Sequence, residues 1–200
     1  MIDNSSKIRD FLSFGDDDFY FVQVIKRRKD NPDMVSGQST LKNYYINSIE
    51  EYDKMLPIIQ RQCEFENARA YFRLNKRNYK SLGLKVMNRG LIFISSNQHK
   101  AIRNVFDTVA GEHFTDPVKK WLVDVDIENS KPYDFSEYSK AIAVKLYELQ
   151  EQTKHEPMVE EIQTTNGIHF ITRPFNLKVF KDIFKEVDVH KDATTLLYCP

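Results

Sequence analysis

The sequence predicts an α+β fold in which helices pack on one face of a mixed or antiparallel sheet. Segments of alternating or continuous apolar character interleave with segments of helical spacing in the order β-β-α-β-α-α-β-α-β-β-α-β. The dipeptide Asn166-Gly167 between two apolar runs predicts a type I′ turn, and such a turn joins two antiparallel strands in a hairpin. This mixture of hairpins and helices argues against a doubly wound parallel sheet.

The first part of the chain divides into an arm and a hairpin-helix-strand segment. Residues 1–18 end in an acidic run and predict a flexible N-terminal arm or a short helix, so that residues 19–200 form a single domain. Residues 19–29 are rich in aromatic and β-branched residues and predict a buried strand, followed by a short strand at 43–47. Ser48 and Glu51 form a capping box for a helix to about Asn67, and residues 68–74 predict the next strand.

The remaining elements follow from the same signals. Residues 79–110 show helical spacing with a break near residues 95–97, and residues 121–127 (WLVDVDI) predict a strand. Asp134 and Glu137 cap a helix to about Thr153. The closing elements are the hairpin strands 158–165 and 168–173, a short helix capped by Asn176, and the strands 187–189 and 194–198.

Composition and charge exclude several classes of protein. Hydrophobic residues make up 41% of the chain, which supports a packed core and excludes a disordered protein. Lys plus Arg equal Asp plus Glu at 29 each, so any polyanion would have to bind a local basic patch. Cys63 and Cys199 are too few for a disulfide framework. With no apolar run of membrane-spanning length and no leader sequence, we expect a cytoplasmic protein that contacts no membrane.

Two acids on one strand are the strongest chemical signal. Asp124 and Asp126 lie two residues apart, so they project from the same face while Val123, Val125 and Ile127 project from the other. Two converging carboxylates repel each other, and a divalent cation such as Mg²⁺ or Mn²⁺ relieves that repulsion. The alternative is an amphipathic edge strand whose acids face water.

Other polar residues mark a second group of candidates. His169 alternates with Ile168 and Phe170, and the same alternation puts Arg173 on the side of His169, where both side chains offer donors to phosphate oxygens. Asp188 supplies a possible third carboxylate. Arg73, Lys76 and Arg77 follow a predicted strand and, with nearby aromatic residues, are candidates for binding a nucleic-acid backbone or a triphosphate.

These residues resemble the motifs of the archaeo-eukaryotic primase superfamily, which includes primase-polymerases of plasmids, phages and mobile elements. The superfamily carries hydrophobic-Asp-hydrophobic-Asp/Glu, then small-x-His, then hydrophobic-Asp. The corresponding residues here are Val123-Asp124-Val125-Asp126, Gly167-Ile168-His169 and Val187-Asp188, in that order. Residues 70–77 also resemble the strand with trailing bases that precedes the acidic motif. The resemblance covers residues 68–198 and implies an RRM-like sheet with an added unit.

The resemblance implies a metal-dependent nucleotidyltransferase acting in DNA replication, in the host cytoplasm if a phage encodes it. Asp124, Asp126 and Asp188 would bind two Mg²⁺ or Mn²⁺ ions, with Asp192 as the alternative third acid. His169 would contact the phosphates of the incoming nucleoside triphosphate. The partners implied are a nucleoside triphosphate and DNA or RNA, and where several members have an arginine after the last acid this chain has His190-Lys191.

Three other interpretations stay open at the level of the sequence. The same two-cation geometry serves phosphodiester hydrolysis as well as transfer. The sheet would also suit a non-catalytic module of phage or mobile-element origin that binds nucleotide or single-stranded nucleic acid through aromatic and basic residues. The third interpretation is an interaction protein whose acids are merely exposed. Convergence of residues 124, 126, 169 and 188 in one place is the observation that separates them.

Overall fold

The structure, a computed structural model, describes residues 1–112, 118–130, 134–153 and 156–200. By its backbone contacts the chain divides into two compact units. The first contains Asp3–Pro117 with Met1 and Leu197–Pro200, and the second contains Val118–Leu196 with Ile2. From the sequence we expected one domain from residue 19 onward. No linker rich in Gly, Pro or Ser separates the two units, so the composition of the chain does not indicate the division.

The first unit is built on a sheet flanked by helices. Its elements are β1 (Ile2–Asp3), α1 (Ser5–Arg9), β2 (Asp18–Arg27), β3 (Gln38–Ile46), α2 (Ile49–Glu66), β4 (Arg69–Arg73), β5 (Arg77–Asn78), α3 (Tyr79–Ser95), a 3-10 helix (His99–Asn104), α4 (Val105–Glu112) and the end of β10 (Thr194–Cys199). The strands follow the order β1-β10-β4-β2-β3 in the sheet, and β5 pairs with the beginning of β2.

The expected flexible arm contains secondary structure. Residues 1–18 contribute β1 and α1, and the side chain of Ile8 in α1 is fully buried. Arg9 makes a two-pronged ion pair with Asp53 of α2, with Nε 2.8 Å from Oδ1. A helix of five residues is too short to show amphipathic periodicity, which explains why the sequence could not decide between a loose arm and a short helix.

Capping chemistry sets the ends of the longest helix in the first unit. The Ser48 hydroxyl accepts a hydrogen bond from the Glu51 backbone N–H at 3.1 Å, as the sequence predicts. The Glu51 carboxylate reaches one residue further back than expected and accepts from the Asn47 N–H at 2.8 Å. At the other end Asn67 adopts a left-handed conformation with φ 49°, which ends α2.

The second unit is a four-stranded antiparallel sheet with the order β7-β8-β6-β9. One face packs against two helices, where Val123, Val125 and Phe170 of the sheet meet Leu146 and Phe180 of the helices. The elements are β6 (Trp121–Asp126), a 3-10 helix (Ile127–Ser130), α5 (Phe135–Glu151), β7 (Val159–Gln163), β8 (Gly167–Thr172), α6 (Leu177–Ile183) and β9 (Asp188–His190). The expected α+β class with antiparallel sheets is confirmed.

The hairpin between β7 and β8 forms, but its turn differs from the prediction. Neither Asn166 nor Gly167 has a positive φ, so the turn is not type I′. Gly167 is instead the first residue of β8, where its carbonyl accepts from the Thr164 N–H at 3.0 Å. A Cβ at Gly167 would overlap the Val125 carbonyl oxygen of β6. The glycine therefore permits close approach of two strands.

Within the described residues no helix is long and apolar enough to cross a membrane.

Candidate active site

Strand β6 presents the two predicted acids on one face. Its buried residues Val123 and Val125 point into the core formed with the helices, and both are fully inaccessible to solvent. Asp124 and Asp126 project from the opposite face, and both are partly exposed. The alternation of β6 therefore gives the arrangement that the sequence predicted, with the acids facing away from the helices.

The strand register brings the other two motifs to the same place. β6 lies between β8 and β9, and Asp124 is directly opposite His169 on one side and Asp188 on the other. Residues directly opposite in an antiparallel pair project from the same face with neighbouring Cβ atoms. Asp124, Asp126, His169 and Asp188 therefore share the face of the sheet opposite to the one that packs against α5 and α6, where Leu122, Ile162 and Ile171 are also buried.

The imidazole of His169 is held from both ring nitrogens. Its Nε2 lies 3.4 Å from Asp124 Oδ1, and its Nδ1 lies 2.9 Å from the Oγ1 of Thr195. The His169 side chain is 14% exposed and Thr195 is fully buried. Thr195 is a contact that sequence reasoning missed, since nothing in the run Thr194-Thr195-Leu196 distinguishes one threonine from the other. A ring fixed in this way points one nitrogen at the acidic face.

The environment of Asp124 favours its charged form. Burial acts to raise the pKa of this carboxyl, but the hydrogen bond and charge of His169, with a smaller contribution from His190, outweigh burial and lower the pKa. The side chain remains 35% exposed. Asp124 is thus an anion that solvent can reach at neutral pH, as a cation ligand must be.

The third acid stands at the exposed edge of this face. The Asp188 side chain is 75% exposed, and its Oδ1 lies 3.8 Å from Nζ of Lys181 in α6. Asp192, the alternative third acid, lies in the bend between β9 and β10. Only Asp188 is in register with Asp124, so the register favours Asp188.

The donor types on this face suit a hard cation, although they do not enclose one. In residues 1–112, 118–130, 134–153 and 156–200, no three His, Cys, Asp or Glu side chains form a group that could hold a metal ion. Mg²⁺ keeps most of its water ligands and needs only one or two protein carboxylates, with the remainder of its coordination completed by substrate phosphates. On this face β6 supplies two carboxylates, those of Asp124 and Asp126.

Arg173 follows the end of the strand that carries His169. β8 ends at Thr172, and the Arg173 backbone N–H donates to Oε1 of the buried Gln150 at 3.1 Å. The same Oε1 accepts from the Met158 N–H, so Gln150 ties the end of β8 to the start of the β7 segment. The Arg173 Nε is buried and has no hydrogen-bond partner among the described residues. Arg173 therefore lies one residue beyond β8, and its place beside His169 stays a prediction.

Three of the predicted basic residues lie in the first unit. Arg77 is fully buried; its Nε donates to the Ala110 carbonyl at 2.8 Å and its Nη1 to the Asn75 carbonyl. Because its guanidinium is enclosed by the core, Arg77 is a structural residue and the prediction that it binds substrate is wrong. Arg73 is the last residue of β4, and its guanidinium lies close to Gly111.

Lys76 forms a largely buried ion pair. Its Nζ lies 2.7 Å from Asp18 Oδ2, and the two side chains are 15% and 12% exposed. Asp18 also accepts from the Gly15 N–H and from Asn78 Nδ2, both at 2.9 Å. Burial acts to raise the pKa of Asp18, but the hydrogen bonds from Lys76, Asn78 and Gly15 outweigh it and lower the pKa. The Lys76 ammonium is therefore paired with the carboxylate of the first residue of β2.

We expect Asp18→Asn to lower the free energy of unfolding by about 2–4 kcal/mol, because it removes one partner of a largely buried pair. A carboxyl with a lowered folded pKa stabilises the protein above its unfolded pKa and loses that contribution as the pH falls through the folded pKa. Urea unfolding should therefore show the difference at pH 7 and a smaller one at pH 3. Asp16→Asn, at an exposed neighbouring acid, is the control. An equal loss at both pH values would contradict the assignment.

Comparisons with models of protein families, with curated proteins and with solved structures gave no match to this chain. The resemblance to the archaeo-eukaryotic primases therefore depends on the three motifs of residues 123–126, 167–169 and 187–188.

Proposed function

We propose that this chain is a metal-dependent nucleotidyltransferase of the primase-polymerase kind, acting on nucleoside triphosphates and a nucleic-acid strand. The observation that carries the proposal is the register of β6, which sets Asp124 opposite both His169 and Asp188. Three motifs separated by about 40 and 20 residues of chain thus supply one face with acids and a histidine, in the combination that phosphoryl transfer uses.

The topology of the second unit supports the same interpretation. Its elements run β6-α5-β7-β8-α6-β9, and its strand order is β7-β8-β6-β9. A β-α-β-β-α-β chain with helices on one face is the ferredoxin-like arrangement, which RRM domains share. The resemblance implies an RRM-like sheet that carries the acidic motif on a strand, and in this unit β6 is the strand with that motif.

The acids have a defined task in this mechanism. Asp124 and Asp126 would hold a divalent cation, Mg²⁺ or Mn²⁺, and Asp188 would add a ligand from the neighbouring strand. The bound cation supplies electrophilic stabilisation of the charge that develops on the phosphate oxygens. Because Asp124 is anionic at neutral pH, no proton has to be removed before it binds. The fully buried Val123 and Val125 fix the backbone from which both carboxylates project.

His169 would position the nucleotide. Thr195 engages its Nδ1, so the ring can rotate little, and its Nε2 stays directed to the side of Asp124. An N–H at Nε2 would donate to a phosphate oxygen of the nucleoside triphosphate. In the reaction the oxygen of a 3′-hydroxyl would bond to the α-phosphorus and lose its proton to solvent. The bond between that phosphorus and the oxygen bridging to the β-phosphate would break, and pyrophosphate would leave.

The composition of the sheet face that carries Asp124 disfavours the non-catalytic alternative. The residues of β6, β7, β8 and β9 on this face include no Phe, Tyr or Trp; they are Leu122, Asp124, Asp126, Glu160, Ile162, Gly167, His169, Ile171, Asp188 and His190. RNA-binding sheets of this topology stack bases on exposed aromatic side chains. An acidic face without aromatics suits cation-dependent chemistry better than base stacking.

An incorporation assay tests this function. The full chain is incubated with Mg²⁺ or Mn²⁺, labelled nucleoside triphosphates, and either a primed template or a bare one, in DNA and RNA forms. We expect labelled products longer than the primer, or short products on the bare template, that require the metal. A parallel reaction with a labelled strand and no nucleotide detects hydrolysis. Absence of product in every incorporation arm would contradict the proposal, and cleavage alone would assign hydrolysis instead.

A further inference from the structure

A polar recess of about 580 Å³ opens in the first unit, beside the sheet. Its volume is in the range of small-molecule sites. Its polar lining comes from β2, β3 and the segment that begins α4, and includes Gln23, Asn43, Tyr45, Asn104, Asp107 and Thr108. None of these residues belongs to the acidic face of the second unit, so the recess is independent of the function proposed above.

A chain of hydrogen bonds organises the floor of the recess. Asp107 accepts from the Tyr45 hydroxyl through one carboxylate oxygen and from Asn43 Nδ2 through the other, the second at 2.8 Å. Because a carboxylate offers only acceptors, the Asn43 amide must turn its nitrogen towards Asp107. Its Oδ1 then faces Gln23, whose Nε2 donates to it at 3.2 Å. The carboxylate thus sets the orientation of both amides.

The oriented amide of Gln23 is the chemically distinctive group. One N–H of Gln23 is used by Asn43, while its Oε1 and its second N–H have no protein partner among the described residues. Gln23 is partly exposed and lines the recess. It therefore presents an acceptor and a donor side by side, in an order that the Asp107 network does not allow to reverse.

A bulge in β3 shapes the rim of the recess. The register between β2 and β3 shifts between Val24 and Ile25, so Ile25 pairs with Thr40 and Leu41 is the additional residue. Ile25 and Gln23 share a face, which brings Thr40 to the side of the recess. Bulges of this kind re-aim side chains and are over-represented beside functional sites.

We propose that this recess binds the adenine base of a nucleotide, with the Gln23 carboxamide pairing with the base edge. Adenine places the N7 acceptor beside the N6 amino donor, and glutamine pairs with these two atoms through its own N–H and oxygen. The hydroxyl of Thr40 and the exposed amide of Asn104 at the rim suit ribose hydroxyls. The base comes either from a free nucleotide or from a single strand, since both carry the same edge.

An NMR titration of the ¹⁵N-labelled full chain with AMP tests this site. We expect the side-chain amide signals of Gln23 and Asn43 to shift on addition of AMP and to stay in place with ribose 5-phosphate, which lacks the base. N6,N6-dimethyl-AMP, which lacks the N6 donor, should bind at least about fivefold more weakly than AMP. Short oligoadenylate is the second arm: tighter binding than AMP assigns the base to a strand, and equal binding assigns it to a free nucleotide.

Variants test the role of the amide chain. Gln23→Leu should weaken AMP binding about tenfold or more, since one bidentate pair is lost. Gln38→Leu is the matched control, the same change at an exposed position of β3 outside the recess. Unchanged affinity in Gln23→Leu, or equal affinity for AMP and its dimethyl analogue, would overturn the proposal. The analogue comparison uses the unaltered protein and so decides the question even if Gln23→Leu does not fold.

Discussion

Replacing Asp124 and Asp126 together with asparagine should reduce metal-dependent nucleotide incorporation by about 10³-fold or more. The two carboxylates are the anionic groups that β6 contributes to the face opposite α5 and α6, and asparagine keeps their size and position while removing both charges. A loss of this size corresponds to about 4 kcal/mol of transition-state stabilisation, which is in the range expected for electrostatic groups at phosphoryl transfer sites. The assay is the incorporation reaction with Mg²⁺ or Mn²⁺.

The control for this variant removes two charges elsewhere in the second unit. Asp182→Asn with Glu151→Gln alters exposed carboxylates of α6 and α5 and should leave incorporation within about twofold. Urea unfolding of both double variants shows whether the fold is intact. Incorporation by the Asp124 and Asp126 variant at the rate of the control would contradict a catalytic role for this face.

Gly167→Ala should destabilise the protein by about 3 kcal/mol or more and displace β8 from β6. The added Cβ would overlap the Val125 carbonyl oxygen and lie 3.0 Å from the Cα of Asp126, and both are backbone atoms of a central strand that cannot rotate aside. The same displacement would separate His169 from Asp124, so incorporation should fall as well. Urea unfolding and the incorporation assay measure the two effects.

Gly90→Ala is the matched control for the glycine. Gly90 lies in α3, where an added Cβ meets nothing within 4 Å, so the substitution should raise stability by about 0.5–1 kcal/mol through helix propensity. If Gly167→Ala were as stable as the unaltered chain, the close approach of β8 to β6 would be wrong. The small residue of the small-x-His motif would then need another explanation.

The sequence predicted the parts of this fold that depend on local patterns. The alternation of β6, the capping box at Ser48 and the helical spacing of residues 79–110 are signals within a few turns of chain, and the structure contains the corresponding elements. The break near residues 95–97 also occurs there, since α3 ends at Ser95 and a 3-10 helix begins at His99.

The candidate site depended on pairing as well as on pattern. The alternation of side chains along a strand is enough to place Asp124 and Asp126 on one face. It does not predict which residues of β8 and β9 lie opposite them. Only the register places His169 and Asp188 there. Thr195 and Gln150 were missed because their roles come from contacts with residues 26 and 23 positions away in the chain.

Two further differences arise from burial that no local pattern reveals. Arg77 follows a predicted strand, and the sequence indicated a basic residue at the surface. In the structure it is buried, and its guanidinium donates to the carbonyl of Ala110, 33 residues later in the chain. The sequence predicted a type I′ turn at Asn166-Gly167 because both residues tolerate positive φ. The glycine is needed for a different reason, the approach of a third strand, which lies outside the hairpin.

A titration with Mn²⁺, followed by the electron paramagnetic resonance signal of the free ion, tests the central claim most directly. The proposal is that Asp124 and Asp126 hold a cation on the face of the second unit opposite α5 and α6, and that Asp188 adds a ligand when the cation binds. The unaltered chain should bind Mn²⁺, and Asp124→Asn with Asp126→Asn should weaken that binding at least about tenfold. The Asp182→Asn, Glu151→Gln control should bind as the unaltered chain does. Equal Mn²⁺ binding by all three proteins, or none by the unaltered chain, would contradict the account.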